Sequence, residues 1–341
     1  MTTKTKSLKQ QLDDLWAGQG QVLDLETRNQ KYVLISDMHM GNGEASDDFR
    51  YNEATVVRAL NHYAKKKFKL ILLGDIEELW QFSLDEIVNR YEKTVYKSIK
   101  GFGDDNVFRV FGNHDIDWKI TYDPVRNKPK HSFETYEAIK LKDINGVPKI
   151  LLVHGHQGTV NSDKISWLSR PVVKLYGRSV EPIFKVDRTP NAPRSPILEN
   201  FERERYRWAK GKNLMIICGH SHRAFFDSKT KVENLSTEIE ELKKKIQFES
   251  DLVKRAKLLD DLISTKQRIM DQTQLNGEYK SLGRNPSPNY FNTGCALFED
   301  GVTVIEIVEN EIKLVKWHRE FGTAPFEIQE SDDLNEFVSR L

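Results

Sequence analysis

Five short apolar runs in this chain each stop on side chains that can carry a proton or bind a metal. They are residues 31–37 (KYVLISD), 69–75 (KLILLGD), 107–115 (VFRVFGNHD), 149–156 (KILLVHGH) and 214–222 (LMIICGHSH). A short apolar run bounded by polar turn residues predicts a strand buried on both faces. Helical spacing fills the gaps between the first three runs. Residues 52–66 place Val56, Val57, Leu60 and Tyr63 on one face, and residues 84–100 read as a second helix. Strand and helix in this alternation predict an α/β fold with buried sheets. The 341 residues suffice for such a core without staples.

The rest of the chain divides around that core. Residues 1–30 read as a helical lead-in, with a short helix on Leu8, Leu12, Leu15 and Trp16 and then a polar stretch. Residues 31–156 form the first part of the core and include a hairpin about Asn145-Gly146. Residues 157–212 form a helical insert rich in aromatics (Trp167, Tyr176, Phe184, Phe201, Tyr206, Trp208) that carries twelve Lys/Arg against six Asp/Glu. Residues 213–230 return to the core. Residues 231–272 read as a helical hairpin with a coiled-coil-like seam. Val232, Leu235, Ile239, Leu242 and Ile246 lie on one arm, and Leu252, Ala256, Leu259, Ile263 and Met270 on the other. Residues 273–341 close the core with short strands that turn at Asp300-Gly301 and near Asn310.

Composition sets outer bounds. The chain is 38% hydrophobic and 30% charged, the balance of a globular protein with a wet surface. Its net charge of +1 points to no partner, so any basic patch is local. The N-terminus has no apolar signal core and no stretch is long and apolar enough to span a bilayer, which leads to an expectation of a cytoplasmic protein. A peripheral membrane contact is left open. The only cysteines, Cys218 and Cys295, sit in apolar runs and read as buried reduced thiols.

Of nine histidines, six fall at strand ends: His39, His114, His154, His156, His220 and His222. Asp37, Asp75 and Asn113 lie beside them. Strand ends of an α/β sheet converge on a crevice, and carboxylate oxygen with imidazole nitrogen suits Mn, Fe or Zn. A set of seven, Asp37, His39, Asp75, Asn113, His154, His220 and His222, exceeds the needs of one ion and suits two. Ser36 and Ser221 adjoin these residues, but they read as turn hydrogen-bonding groups and not as nucleophiles.

Five blocks in order, Asp37-x-His39, Gly74-Asp75-x-x-Glu78, Gly112-Asn113-His114-Asp115, His154 and Gly219-His220-x-His222, resemble the pattern of the calcineurin-like metallophosphoesterases. Asn292-Thr293-Gly294 is similar to that family's closing segment. The resemblance implies a four-layer α/β/β/α sandwich and a phosphoesterase with two divalent ions, Mn²⁺ foremost, with Fe, Zn, Co and Mg as alternatives. Asp37, His39 and His222 would hold one ion, and Asn113, His154 and His220 the other, with Asp75 bridging. His114 would be the general acid, with Glu78 or its rival Asp115 orienting it. Two such ions neutralise the phosphate, acidify a bridging water and align an in-line attack.

The expected substrate is a phosphomonoester, phosphodiester or pyrophosphate. Residues 73–80 (LGDIEELW) also resemble a stretch of the UDP-2,3-diacylglucosamine diphosphatases. Those enzymes, however, carry Arg in place of His114 and Gly-Asp in place of Gly155-His156. A lipid-linked nucleotide, a nucleotide and a nucleic acid are therefore all carried forward as partners. Arg170, Lys174, Arg178, Arg188, Arg194, Arg203 and Arg207 in the insert, together with His156, are the candidate substrate contacts. A homodimer through the 231–272 hairpin is a further expectation, and a non-catalytic scaffold of the same fold is the alternative from another class.

Overall fold

The computed structural model describes residues 6–116, 135–143, 145–158, 196–228, 231–276, 288–320 and 324–339. Two mixed sheets face one another. In the first, β2 (Lys31–Ile35), β3 (Lys69–Leu73), β4 (Val107–Val110) and β5 (Thr135–Tyr136) run parallel. Antiparallel β11 (Gly301–Val308), β12 (Glu311–His318) and β13 (Phe326–Asp333) extend it, in the order β13-β12-β11-β2-β3-β4-β5. The second sheet comprises β1 (Val22–Glu26), β6 (Ala138–Lys142), β7 (Pro148–Leu152), β8 (Met215–Cys218), β9 (Ala224–Phe225) and β10 (Tyr290–Thr293). Its order is β1-β6-β7-β8-β10-β9.

The period-two alternation of side chains builds the layers. Tyr32, Leu34, Ile71 and Leu73 point between the sheets and meet Ile139, Leu141, Ile150, Leu152, Met215, Ile217 and Phe291. Val33, Ile35, Leu70 and Leu72 point outward, under α2 (Glu53–Lys65) and α3 (Leu84–Tyr91). On the far side Leu151, Val153, Ile216 and Cys218 pack against α1 (Leu8–Trp16) and α5 (Pro196–Lys212), through Leu12, Leu15, Tyr206, Trp208 and Ala209. The result is the expected α/β/β/α sandwich. No described helix is long and apolar enough to cross a membrane.

Several local expectations change. Residues 22–26 form strand β1, parallel to β6, where a polar lead-in was expected. The VLDLE alternation exposes Asp24 and Glu26 and half-buries Leu23 and Leu25, as suits an edge strand. The 84–100 helix is interrupted: a π turn over Glu92–Tyr96 separates α3 from the short α4 (Lys97–Lys100).

The hairpin forms from α6 (Lys231–Phe248) and α7 (Leu252–Asn276), but with a different seam on its second arm. Leu235 and Leu242 are buried, as expected for the first arm. Opposite them lie Leu258, Leu262, Thr265 and Ile269, with Thr265 Oγ1 donating to Glu238 Oε1 at 3.1 Å. The expected residues Leu252, Leu259, Ile263 and Met270 face solvent. Leu258, Leu262, Thr265 and Ile269 have the same 4-3-4 spacing as Leu252, Ala256, Leu259 and Ile263, so periodicity alone does not choose between them.

Candidate metal centre

Strands β2, β3 and β4 are parallel, and so are β7, β8 and β10. The segments leaving the ends of β2, β3, β4, β7 and β8 carry Asp37, Asp75, Asn113, His154 and His220, and Asn292 lies near the end of β10. The chain turns sharply there. Asp37 (φ 51°), His39 (φ 47°), Asp75 (φ 52°), His220 (φ 67°) and His222 (φ 58°) all take left-handed backbone. Such conformations are costly for residues with a Cβ and persist where surroundings enforce them. Two glycines let the segments approach. A Cβ at Gly112 would strike the Asp75 carboxylate, and one at Gly219 would strike Ser36 and the Asp37 carboxylate.

Among the described residues three overlapping groups of donors result: Asp37, His39 and His222; His39, Asp75 and His114; and Asp75, His154 and His220. Within each, the donor atoms lie within 4.8 Å of one another. His222 Nε2 is 3.3 Å from Asp37 Oδ1 and 3.2 Å from His39 Nε2. Asp75 Oδ2 is 3.0 Å from His154 Nε2 and 3.8 Å from His39 Nε2, so it stands between the two outer groups.

The outer atoms of these residues are fixed by hydrogen bonds that aim the inner ones. His154 Nδ1 donates to the Leu73 carbonyl at 3.0 Å, which turns Nε2 toward Asp75. His39 Nδ1 is held by Glu78 at 3.0 Å, with the same effect. The His220 N–H donates to Asp37 Oδ2 at 2.9 Å, and the His114 N–H to Asp75 Oδ1 at 2.8 Å. Ser36 Oγ donates to the Asp37 carboxylate and lies 2.6 Å from Thr293 Oγ1.

This arrangement fits divalent ions. His154 Nε2 lies 3.0 Å from a carboxylate yet is not aligned to hydrogen-bond it, and the buried Asn113 Oδ1 has no hydrogen-bond partner among the described residues. Buried polar atoms are rarely left this way without a ligand. The electrostatics agree. Burial raises the Asp75 carboxyl, but neighbouring His154 and His114 outweigh burial and hold it well below the usual carboxylate range. Burial lowers His154, and Asp75 and Asp37 reverse this and lift it to about 9. The two carboxylates thus demand positive charge at the centre. Burial, reinforced by the His154 charge, keeps His220 neutral, the form in which imidazole binds metal.

His114 stands at the edge of the centre. Its Nδ1 is 2.8 Å from the Glu78 carboxylate, which therefore holds two imidazoles at once. Burial opposes the His114 charge, but Glu78 and Asp75 prevail and raise it to about 9. Trp80 stacks on its ring at 3.9 Å and donates Nε1–H to the Asn113 carbonyl at 2.9 Å.

Asp115 is a correction. It was expected as a rival to Glu78 for orienting His114, but its carboxylate turns to the backbone. It accepts from Ile76 N–H at 2.9 Å and Gly112 N–H at 2.5 Å, and lies 3.2 Å from Arg109 Nη2. Arg109 also binds Glu77, which accepts from Tyr96 Oη at 2.7 Å. This buried cluster fastens the loop of Asn113 and His114 to the segment after β3. Sequence reasoning missed it because Arg109 and Glu77 carry no motif, although a charged residue inside a strand pattern was a signal.

Arg205 was also missed as a structural device. It is buried on α5, and among the described residues no carboxylate is a hydrogen-bond partner of it. It donates to the carbonyls of Phe201 at 2.8 Å and Gln157 at 2.7 Å, and to that of Gly155. It thereby clamps the His154 loop. Phe201 meets the ring of His220 at 5.6 Å. His156 is buried, its ring 5.6 Å from that of His154. Arg203 is half-buried and Arg207 exposed on α5. Arg170, Lys174, Arg178, Arg188 and Arg194 lie outside the described residues.

Residues 30–224, more than half of the chain, match the family model of the calcineurin-like phosphoesterases. No curated protein matches the chain. Among solved structures, similarity is found to a protein proposed to be a diadenosine tetraphosphatase, at 16% identity and a TM-score of 0.24. That similarity covers 40% of this chain and 55% of the other, so the chain spans about half the length of that relative.

Proposed function

The chain belongs to the calcineurin-like phosphoesterase family, metal-dependent hydrolases of phosphate esters, and from this premise we propose a two-metal centre with assigned roles. Asp37, His39 and His222 hold one divalent ion, and Asn113, His154 and His220 hold the other, with Asp75 between them. The observation that carries this assignment is the overlap of donor groups at Asp75, beside a buried and unpartnered Asn113 Oδ1. When bound, the ions neutralise phosphate oxygens and acidify water.

The chain's own residues supply the rest. His114 donates a proton to the leaving oxygen, as a general acid at the rim of the centre. Glu78 fixes its Nδ1 and Trp80 fixes the plane of its ring. A protein nucleophile is not called for. Ser36 is tied to Asp37, and burial pushes the thiols of Cys218 and Cys295 up to about 12. Mn²⁺ is the first ion to supply, because mixed oxygen and nitrogen donors suit it.

Hydrolysis of bis(p-nitrophenyl) phosphate with Mn²⁺ tests this function. Activity is expected in the unaltered chain, with loss in Asp75→Asn and a smaller loss in His114→Ala. Equal, negligible activity in all three across several divalent metals would leave only a non-catalytic scaffold. A panel of a monoester, a diester, a UDP-sugar lipid, cyclic nucleotides and single-stranded DNA then ranks the substrate classes. Preference for the UDP-sugar lipid would bear out the likeness of residues 73–80 to the lipid-pathway diphosphatases.

A further inference from the structure

Helix α3 passes into α4 through the π turn over Glu92–Tyr96, and a tyrosine stands at each edge of it, Tyr91 and Tyr96. Residues five apart on a regular α-helix point about 140° away from each other. A π turn takes in one extra residue, which brings such a pair back to one side. Both rings are buried in the core between the first sheet and its helices. Each hydroxyl donates to a buried carboxylate. Tyr91 Oη reaches Asp47 Oδ2 at 2.5 Å, and Tyr96 Oη reaches Glu77 Oε1 at 2.7 Å.

The two acids lie on the segments that carry His39 and Asp75. Neither is in a donor group of the metal centre among the described residues. Asp47 closes the loop after His39, where its Oδ2 also accepts from Gly43 N–H at 2.7 Å. Its Oδ1 has no hydrogen-bond partner among the described residues, so without the Tyr91 hydroxyl this buried carboxylate keeps Gly43 N–H alone. Backbone hydrogen bonds join the two segments. His39 N–H donates to the Asp75 carbonyl at 2.9 Å, Met40 N–H to the Ile76 carbonyl at 2.9 Å, and Glu78 N–H to the Met40 carbonyl at 3.0 Å.

We propose that Tyr91 and Tyr96, aligned by the π turn, are positioning residues for the ion held by Asp37, His39 and His222, an inference that rests on the two-metal reading above. Tyr91 anchors the far end of the His39 loop through Asp47. Tyr96 and Arg109 hold Glu77 in the core, so its neighbour Glu78 is the acid left to meet His39 Nδ1 at 3.0 Å. The ligands of the other ion are braced elsewhere, His154 by the Leu73 carbonyl and the Asn113 loop by Asp115. A phenylalanine at either position would fill the same core, so the hydroxyls supply direction more than packing.

Calorimetric titration of the metal-free full chain with Mn²⁺ tests this. The native chain should take up two ions. Tyr91→Phe should raise the dissociation constant of one ion about tenfold, as for loss of a ligand's supporting hydrogen bond, and leave the other within about twofold. Tyr96→Phe should act on the same ion and less strongly, because Arg109 still holds Glu77. His222→Ala should remove that ion, and Tyr91→Phe added to it should leave the affinity for the remaining ion unchanged. Tyr63→Phe is the matched control. Tyr63 lies in the same core, and its Oη donates to Glu306 at 2.6 Å, apart from the donor groups. It should lower the melting temperature and leave both ions bound as in the native chain. Native Mn²⁺ affinities in Tyr91→Phe and Tyr96→Phe overturn the proposal. Equal weakening of both ions, or the same weakening in Tyr63→Phe, also overturns it and leaves the tyrosines a structural role. A native chain that takes up fewer than two ions overturns the two-metal reading, and the proposal with it.

Discussion

Glu78 lies where two functions meet, and Glu78→Gln separates them. The carboxylate accepts from His39 Nδ1 at 3.0 Å and is 2.8 Å from His114 Nδ1. It is buried, and the two histidines hold it at about 2 against the opposing effect of burial. Glutamine offers a single neutral acceptor to these two donors, so one hydrogen bond is lost outright and the other loses its charge assistance. A hydrogen bond to a charged group contributes about 1.5–3 kcal/mol and a neutral one about 1. Together they imply a fall in kcat/KM on the order of 10² to 10³. The share acting through His39 should appear as a higher Mn²⁺ requirement, of about tenfold, as for other losses of a ligand's supporting hydrogen bond. The share acting through His114 should depend on the leaving group. An alkyl phosphate ester needs a proton on its departing oxygen, whereas p-nitrophenolate leaves without one. The assay is kcat/KM for both esters across a Mn²⁺ titration, with Glu78→Gln and the unaltered chain in parallel. Equal values for the two proteins on both esters at saturating Mn²⁺ would refute the shared role of Glu78. An equal proportional loss on both esters would remove His114 as the proton donor.

Other outcomes follow from neighbouring contacts. Gly112→Ala should abolish hydrolysis and lower the melting temperature, since its Cβ would strike Asp75, whereas Gly146→Ala, with open space around it and a φ of 78°, should cost only about 1 kcal/mol in urea unfolding. Arg109→Met leaves Glu77 and Asp115 buried without their guanidinium and should destabilise the chain by about 3–5 kcal/mol, read from the urea midpoint. EDTA should abolish activity, and Mn²⁺ at about 100 times its dissociation constant should add about 2.7 kcal/mol of stability to the stripped chain but not to Asp75→Asn, as seen by calorimetry. Arg205→Met should weaken the response to Mn²⁺ more than Arg205→Lys does, because lysine can still donate to the carbonyls of the His154 loop.

The positions of Asp37, Asp75, His154 and His220 were legible because local signals determine them. An apolar run fixes a strand, and a polar residue after it falls at the strand's end whatever the distant neighbours are. Parallel strands then bring like ends to one edge, so the fold class and the outline of the donor set follow from the chain alone. Alternation sends Val33 and Leu34 to opposite faces of their strand, whereas the four layers were implied by the family resemblance and not by periodicity.

Other features depended on pairs remote in sequence. Strand β1 is a strand because β6 pairs with it across more than a hundred residues, and VLDLE by itself is ambiguous. Asp115 and Glu78 are both acids near His114, and only packing shows Glu78 on its imidazole and Asp115 on backbone N–H groups beside Arg109. The same holds for α7. Its two stripes have one periodicity, and folding half-buries Leu258, Leu262 and Ile269, the row of Thr265 that bonds Glu238 of α6, and leaves Leu252, Leu259 and Ile263 exposed. The sequence by itself thus determined which residues end the strands and which faces are apolar. The tertiary structure decided which acid holds His114, which cation fastens the loop and which stripe stays open, because hydrogen-bond geometry and burial are properties of neighbours that the chain brings together only on folding.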